Sequence, residues 1–218
     1  MQEVSHTLEV LPDKVVSTFL LLPEQARAIL SLGHGAGSHL RHETMEQIAR
    51  ALAAVGVATF RYNFPFRERG GGRDSDAVSI ATVQAAAAEA HRLAPHLTLL
   101  AGGHSFGGRM TSLAAAEGFA APVKQLVFFA FPLHAPGKAG IERAAHLAKI
   151  TVPMLFLSGT RDTFALPELL TSVVAPLPLA HLHWIEGADH GYKLPAALKK
   201  DRNVFSEMAA EVRKRLEA

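Results

Sequence analysis

The chain has 218 residues, 49% of them hydrophobic, with 22 Lys and Arg against 20 Asp and Glu. That length and apolar share suit one α/β domain over 1–218 with a sizeable core. The near-neutral charge without a dense Lys/Arg run argues against nucleic-acid and membrane partners, and the lack of cysteine excludes a disulfide framework and thiolate chemistry.

The opening MQEVSHTLEV has no basic start followed by an apolar run, so no signal peptide is expected. No apolar stretch reaches the length of a membrane span, and a cytoplasmic protein is expected. VVSTFLLLP (15–23) is rich in β-branched and aromatic residues and stops at Pro23, which predicts a strand. ARAILSLGHGAG (26–37) reads as a buried strand running into a tight loop. In 41–55, Met45, Ile48, Ala49, Leu52 and Val55 share one helical face, and Gly56 suits the helix end. A strand is predicted at 57–63, a polar glycine-rich loop at 64–76, an alanine-rich helix at 77–93 and a strand at 97–101.

Beyond GGHSFGG (102–108), a helix is expected over 106–118, a strand at 125–131, a helix at 141–150 and a strand at 153–159. A helix at 166–175, a strand at 180–186 and a helix from about Ala196 to Leu216 complete the chain. Short apolar strands without polar alternation are buried on both faces, so the pattern predicts a mostly parallel central sheet with helices on both sides. In such sheets the functional loops follow the carboxyl ends of strands.

GGHSFGG follows one of those strands and contains Gly103-His104-Ser105-Phe106-Gly107, a G-x-S-x-G pattern at a strand-to-helix turn. Small residues two places either side let a sharp turn lift Ser105 clear of the sheet, and the Phe106 N–H beneath it faces a developing oxyanion. No lysine follows, so the loop does not read as a phosphate cradle. A serine hydroxyl needs a base and an orienting carboxylate. Asp162 follows the strand in FLSGTRDTF (156–164), and His190 follows the strand in HWIEGADHGY (183–192), in the chain order that the turn geometry requires. The rival acids are Asp189, Glu186 and Asp74. Asp162 is preferred, because Asp189 adjoins His190 and its side chain is expected to point into solvent.

A second oxyanion donor is expected from GHGAGSH (33–39), with the Ala36 N–H placed best and Gly35 or Gly37 as alternatives. His181 with His183, and the cluster His34, His39 and His42, lack the carboxylate or cysteine partners that metal spacing calls for, so no metal or other cofactor is expected.

HGAG, GGHSFGG, SGTRDTF and GADHGY, taken together over about residues 26–195, resemble the α/β-hydrolase superfamily. The likeness is to its compact dienelactone-hydrolase-like group and, through RYNFPF (61–66), to the KANL/TEX-like branch. The resemblance implies a single-domain α/β-hydrolase fold. True dienelactone hydrolases carry a cysteine nucleophile, which this chain lacks, so dienelactone itself is not the expected substrate. Some members of the branch are known as parts of assemblies, which leaves a non-catalytic interaction protein as the alternative.

Large lids of such hydrolases are inserted before the acid-bearing strand; here 132–152 holds one short helix, so a minimal lid is expected. Phe64, Phe66, Phe131, Leu133, His134 and Phe164, from loops at strand ends, are the expected walls of an apolar, open cleft. Arg67, Arg69 and Arg73 are candidates for recognising an acidic group, against the plainer reading of a solvated loop. The resulting expectation is a serine hydrolase that cleaves a short-acyl carboxylic ester or thioester through Ser105, His190 and Asp162.

Overall fold

The computed structural model describes residues 1–199 and 202–217. Its centre is an eight-stranded sheet in the order β1-β2-β4-β3-β5-β6-β7-β8. β1 (Gln2–Leu11) and β2 (Lys14–Leu22) form an antiparallel hairpin, and β2 pairs antiparallel with β4 (Val57–Tyr62). From there to the far edge every pairing is parallel: β4 with β3 (Ala28–Gly33), then β5 (Thr98–His104), β6 (Gln125–Phe129), β7 (Met154–Gly159) and β8 (Ala180–Ile185).

Burial on both faces of the central strands explains their unbroken apolar runs. Along β6, Leu126 and Phe128 join one core cluster while Val127 and Phe129 join the other; β7 divides Met154 and Phe156 from Leu155 and Leu157 in the same way. The first cluster is covered by α3 (Asp76–Leu93), α4 (Phe106–Glu117), a 3-10 helix (Glu142–Lys149) and α5 (Pro167–Val174). The second is covered by α1 (Glu43–Ala54) and by α7 (Val204–Leu216), which follows the short α6 (Ala196–Lys199). None of the described helices is long and apolar enough to cross a membrane.

The sequence pattern predicts no strand before residue 15, yet β1 is a full strand. Its apolar residues Val4, Leu8 and Val10 alternate with polar ones because only one face of this edge strand meets the core. The turn at Asp13 takes φ +63°, which an aspartate tolerates. The loop predicted at 64–76 contains a single helical turn, α2 (Pro65–Glu68), opened by the proline. The single C-terminal helix expected over 196–216 is instead two; residues 200–201 of that span lie outside the described residues. Asn203 starts the second by accepting the Phe205 and Ser206 N–H groups on its side chain.

Candidate active site

Ser105 sits where β5 ends and α4 begins, with φ +50° and ψ −115°. A β-carbon lies uneasily in that region, so the turn persists only because the surroundings over-determine it. The Ser105 N–H donates to the Phe129 carbonyl at 2.9 Å, tying the turn to β6. Glycines at 103 and 107 are required by close approach. A β-carbon on Gly103 would come within 2.6 Å of the Gly108 nitrogen, and one on Gly107 would strike the Gly33 carbonyl.

The loops after β7 and β8 bring two further side chains to this turn. His190 Nε2 lies 2.8 Å from Ser105 Oγ. His190 Nδ1 lies 2.8 Å from Asp162 Oδ2 and 3.0 Å from Oδ1. A carboxylate only accepts, so the proton between His190 and Asp162 belongs to Nδ1. Nε2 is then a bare lone pair facing the serine hydroxyl. Asp162 is buried, and its Oδ1 also accepts the Phe164 N–H at 2.7 Å.

Asp189 does not reach the imidazole, nor does it point into solvent as expected. Its Oδ1 accepts the Gly191 and Lys193 N–H groups, both at 2.9 Å, and so folds the turn that carries His190. This is the side-chain-to-backbone bonding at which aspartate excels. Tyr192 pins the same turn, its hydroxyl donating to the Leu157 carbonyl at 2.8 Å. Of the other rival acids, Asp74 pairs with Arg69 at 2.7 Å, and Glu186 accepts from Thr160.

The loop after β3 passes directly over the serine. The point where a β-carbon on Gly35 would stand is 3.6 Å from Ser105 Cβ and 3.1 Å from His104 Nδ1. Among the described residues, neither the Ala36 N–H nor the Phe106 N–H, at the first position of α4, finds an acceptor.

The expected apolar walls require correction. Phe64, Phe66, Phe131 and Leu133 are buried in the core and offer almost no surface to a ligand. Phe64 and Phe66 stack at 5.9 Å and meet the Phe106 ring edge-on, so they support the turn from below. Phe131 packs on Phe128 and Phe156. An aromatic residue just past a strand can turn outward or inward, and here the core claims it. His134 is likewise buried; it donates from Nδ1 to the Ala135 carbonyl and accepts the Leu166 N–H at Nε2, clipping two loops together. Phe164 alone of the six is partly exposed, and it lies on the His190 ring.

Arg67, Arg69 and Arg73 are exposed. Arg73 stands 5.8 Å over the Phe106 ring, at the rim of the site. His34 is buried and uses both ring nitrogens on backbone, donating to the Gly35 carbonyl at 2.7 Å and accepting the Phe64 N–H at 3.1 Å. Burial pushes its pKa down to about 4. His181 and His183 do share a face of β8, where they meet Glu211 at 3.4 Å and Glu207 at 3.5 Å on α7. Among the described residues no group of three or more His, Asp or Glu is arranged to hold a metal ion.

A family model described as an alpha/beta hydrolase domain matches residues 26–217. Among solved structures, the dienelactone hydrolase of Anabaena variabilis is 19% identical, with a TM-score of 0.75 over 98% of this chain and 95% of that one. A cold-adapted esterase from an Arctic intertidal metagenomic library is 18% identical, with a TM-score of 0.72 over 98% and 94%. XC6422 of Xanthomonas campestris, an α/β serine hydrolase without a lid, is 19% identical, with a TM-score of 0.69 over 100% and 93%. At these identities the likeness is one of fold.

Proposed function

Because the chain belongs to the alpha/beta hydrolase family, we propose that it is a serine hydrolase acting on short-acyl carboxylic esters or thioesters. The observation that carries this reading is the unbroken line from Ser105 Oγ through His190 to Asp162, with contacts of 2.8 Å at each end of the imidazole. Three loops that share only the carboxyl edge of the sheet converge on it. A resting structural role would not require a partly exposed serine in a strained turn with a base aimed at it.

In the proposed reaction the Ser105 oxygen attacks the substrate carbonyl while His190 Nε2 takes the hydroxyl proton. The carbonyl oxygen becomes an oxyanion, held by the Phe106 and Ala36 N–H groups. As the tetrahedral intermediate collapses, the bond to the leaving alcohol or thiol breaks and His190 returns the proton to it. Water then attacks the acyl-serine, giving its proton to His190, and the carboxylic acid leaves as Ser105 is reprotonated. Asp162 keeps the Nδ1–H tautomer and offsets the charge of each imidazolium.

The test is labelling by a fluorophosphonate, together with turnover of p-nitrophenyl acetate. Wild-type protein should label and turn over; Ser105→Ala should do neither while retaining its fold. Removing a nucleophile of this kind costs on the order of 10⁴-fold or more in kcat. A Ser105→Ala variant that keeps a tenth of wild-type turnover would end the proposal.

A further inference from the structure

His190 hangs from the loop after β8, the edge strand, three positions along the sheet from the strand that ends at Ser105. At a strand spacing of roughly 4.8 Å, that loop must reach back about 14 Å and still place Nε2 within hydrogen-bond distance of Oγ. The turn is folded internally by Asp189, and Tyr192 anchors it to β7. Neither contact registers it against the strand that carries the nucleophile. Besides the Ser105–His190 contact itself, one side-chain hydrogen bond among the described residues joins the 102–108 turn to the 186–195 loop. That bond runs from His104 Nε2 to the main-chain carbonyl of His190, at 3.1 Å.

We propose that His104 is a positioning residue, which sets the distance between base and nucleophile by holding the His190 main chain. The inference rests on the hydrolase reading above. A carbonyl oxygen only accepts, so the His104 proton must be on Nε2. Burial pushes the His104 pKa down to about 4, so the ring stays neutral and donates at neutral pH. The other edge of the same ring lies against Gly35 of the oxyanion loop, with its Nδ1 3.1 Å from where a β-carbon on Gly35 would stand. His104 thus touches the loops of the base and of the oxyanion while being joined covalently to the nucleophile.

The experiment compares His104→Leu, which removes the donor, with His104→Gln, whose amide keeps an N–H near the position of Nε2. Loss of one positioning hydrogen bond should lower kcat by about tenfold in His104→Leu with little change in KM, and His104→Gln should recover to within about threefold of wild type. In a His190→Ala background the His104→Leu change should cost nothing further, because the residue acts through His190. An equal added loss in that background, or an undiminished kcat in a folded His104→Leu, overturns the proposal and leaves the hydrolase reading intact.

Nitrogen-15 NMR of the wild-type protein tests the same bond even where the leucine variant fails to fold. His104 should be neutral and protonated at Nε2 from pH 7 to 5. A proton on Nδ1, or titration in the ordinary histidine range, overturns the proposal. A wild-type protein that neither labels nor hydrolyses, with His104 still protonated at Nε2, sinks the hydrolase reading and the catalytic consequence drawn here together.

Discussion

The Phe164 ring lies on the His190 imidazole with centroids 4.2 Å apart and planes 28° from parallel. The same residue's N–H donates to Asp162 Oδ1 at 2.7 Å. One residue therefore holds Asp162 by its backbone and His190 by its side chain. Its ring face is where an imidazolium would gain, because the π-cloud attracts the positive charge.

That contact predicts a graded mutational response. Stacking of this kind is worth about 1 kcal/mol, which corresponds to roughly fivefold in rate. Phe164→Leu should lower kcat/KM by about that factor, and Phe164→Tyr should stay near wild type. Steady-state kinetics on one short ester checks both. A leucine variant as fast as wild type would mean that the stack contributes nothing to the reaction.

The two aspartates near His190 should separate cleanly. Asp162→Asn removes the acceptor that fixes the Nδ1–H tautomer, and a comparable change lowers kcat by roughly 10⁴. Asp189→Asn keeps an oxygen for the Gly191 and Lys193 N–H groups and should cost only a few-fold. Asp189→Ala leaves both donors without their acceptor, so it should fall between, with a stability loss of about 1–2 kcal/mol. The order is read from kcat and urea midpoints of the three variants. An Asp189→Asn enzyme as crippled as Asp162→Asn would reverse the assignment of the acid.

Much of this site is legible in the sequence. Ser105 announces itself because the glycines at 103 and 107 answer a steric demand that few other structures make. Asp162 and His190 follow from the rule that functional loops trail the strands of a parallel sheet. The side chains around them are less legible. Whether Phe64 or Phe131 faces a ligand or the core depends on one backbone rotation past a strand end, which composition does not encode. Adjacency to His190 rules out one partner for Asp189, while the turn's own N–H groups are the partners that matter. His104 stands in plain view inside the motif; the role proposed for it depends on a carbonyl 86 residues away. β1 escapes a reading by apolar runs because half of its alternation is polar, as an edge strand's must be.

His34 predicts acid sensitivity of the fold. Both of its nitrogens serve backbone groups in the neutral form, and protonating Nε2 would set a donor against the Phe64 N–H. Its pKa is about 4 in the folded protein against 6.5 for an ordinary histidine. Between those values the unfolded chain binds the proton and the folded one does not, so stability falls as pH drops from about 6.5 to about 4 and is unaffected above that window. The full effect approaches about 3 kcal/mol. His104 acts in the same direction. Denaturant melts of wild type and His34→Gln at pH 8, 6.5, 5 and 4 test this. The variant should lose distinctly less stability across the window, and parallel profiles would refute the role of His34.

The last prediction concerns acyl length, and here the correction of the expected walls sharpens the expectation. The 132–152 segment holds only the 3-10 helix Glu142–Lys149 and inserts no lid domain. Phe64, Phe66, Phe131 and Leu133 are spent on the core, so they cannot sheathe a fatty chain. Of the six expected walls only Phe164 keeps exposed surface, and its ring lies on His190. Each methylene buried against protein is worth about 0.8 kcal/mol, roughly fourfold in kcat/KM, but only while there is surface to bury it on. Across p-nitrophenyl acetate, butyrate, octanoate and palmitate, kcat/KM should peak at acetate or butyrate and decline from there. A rise that continued to octanoate and beyond would require a deep apolar channel. With Phe131 packed on Phe128 and Phe156 and Leu133 buried in the same core cluster, such a channel would form only if the core opened there, and the short-acyl reading would then be wrong.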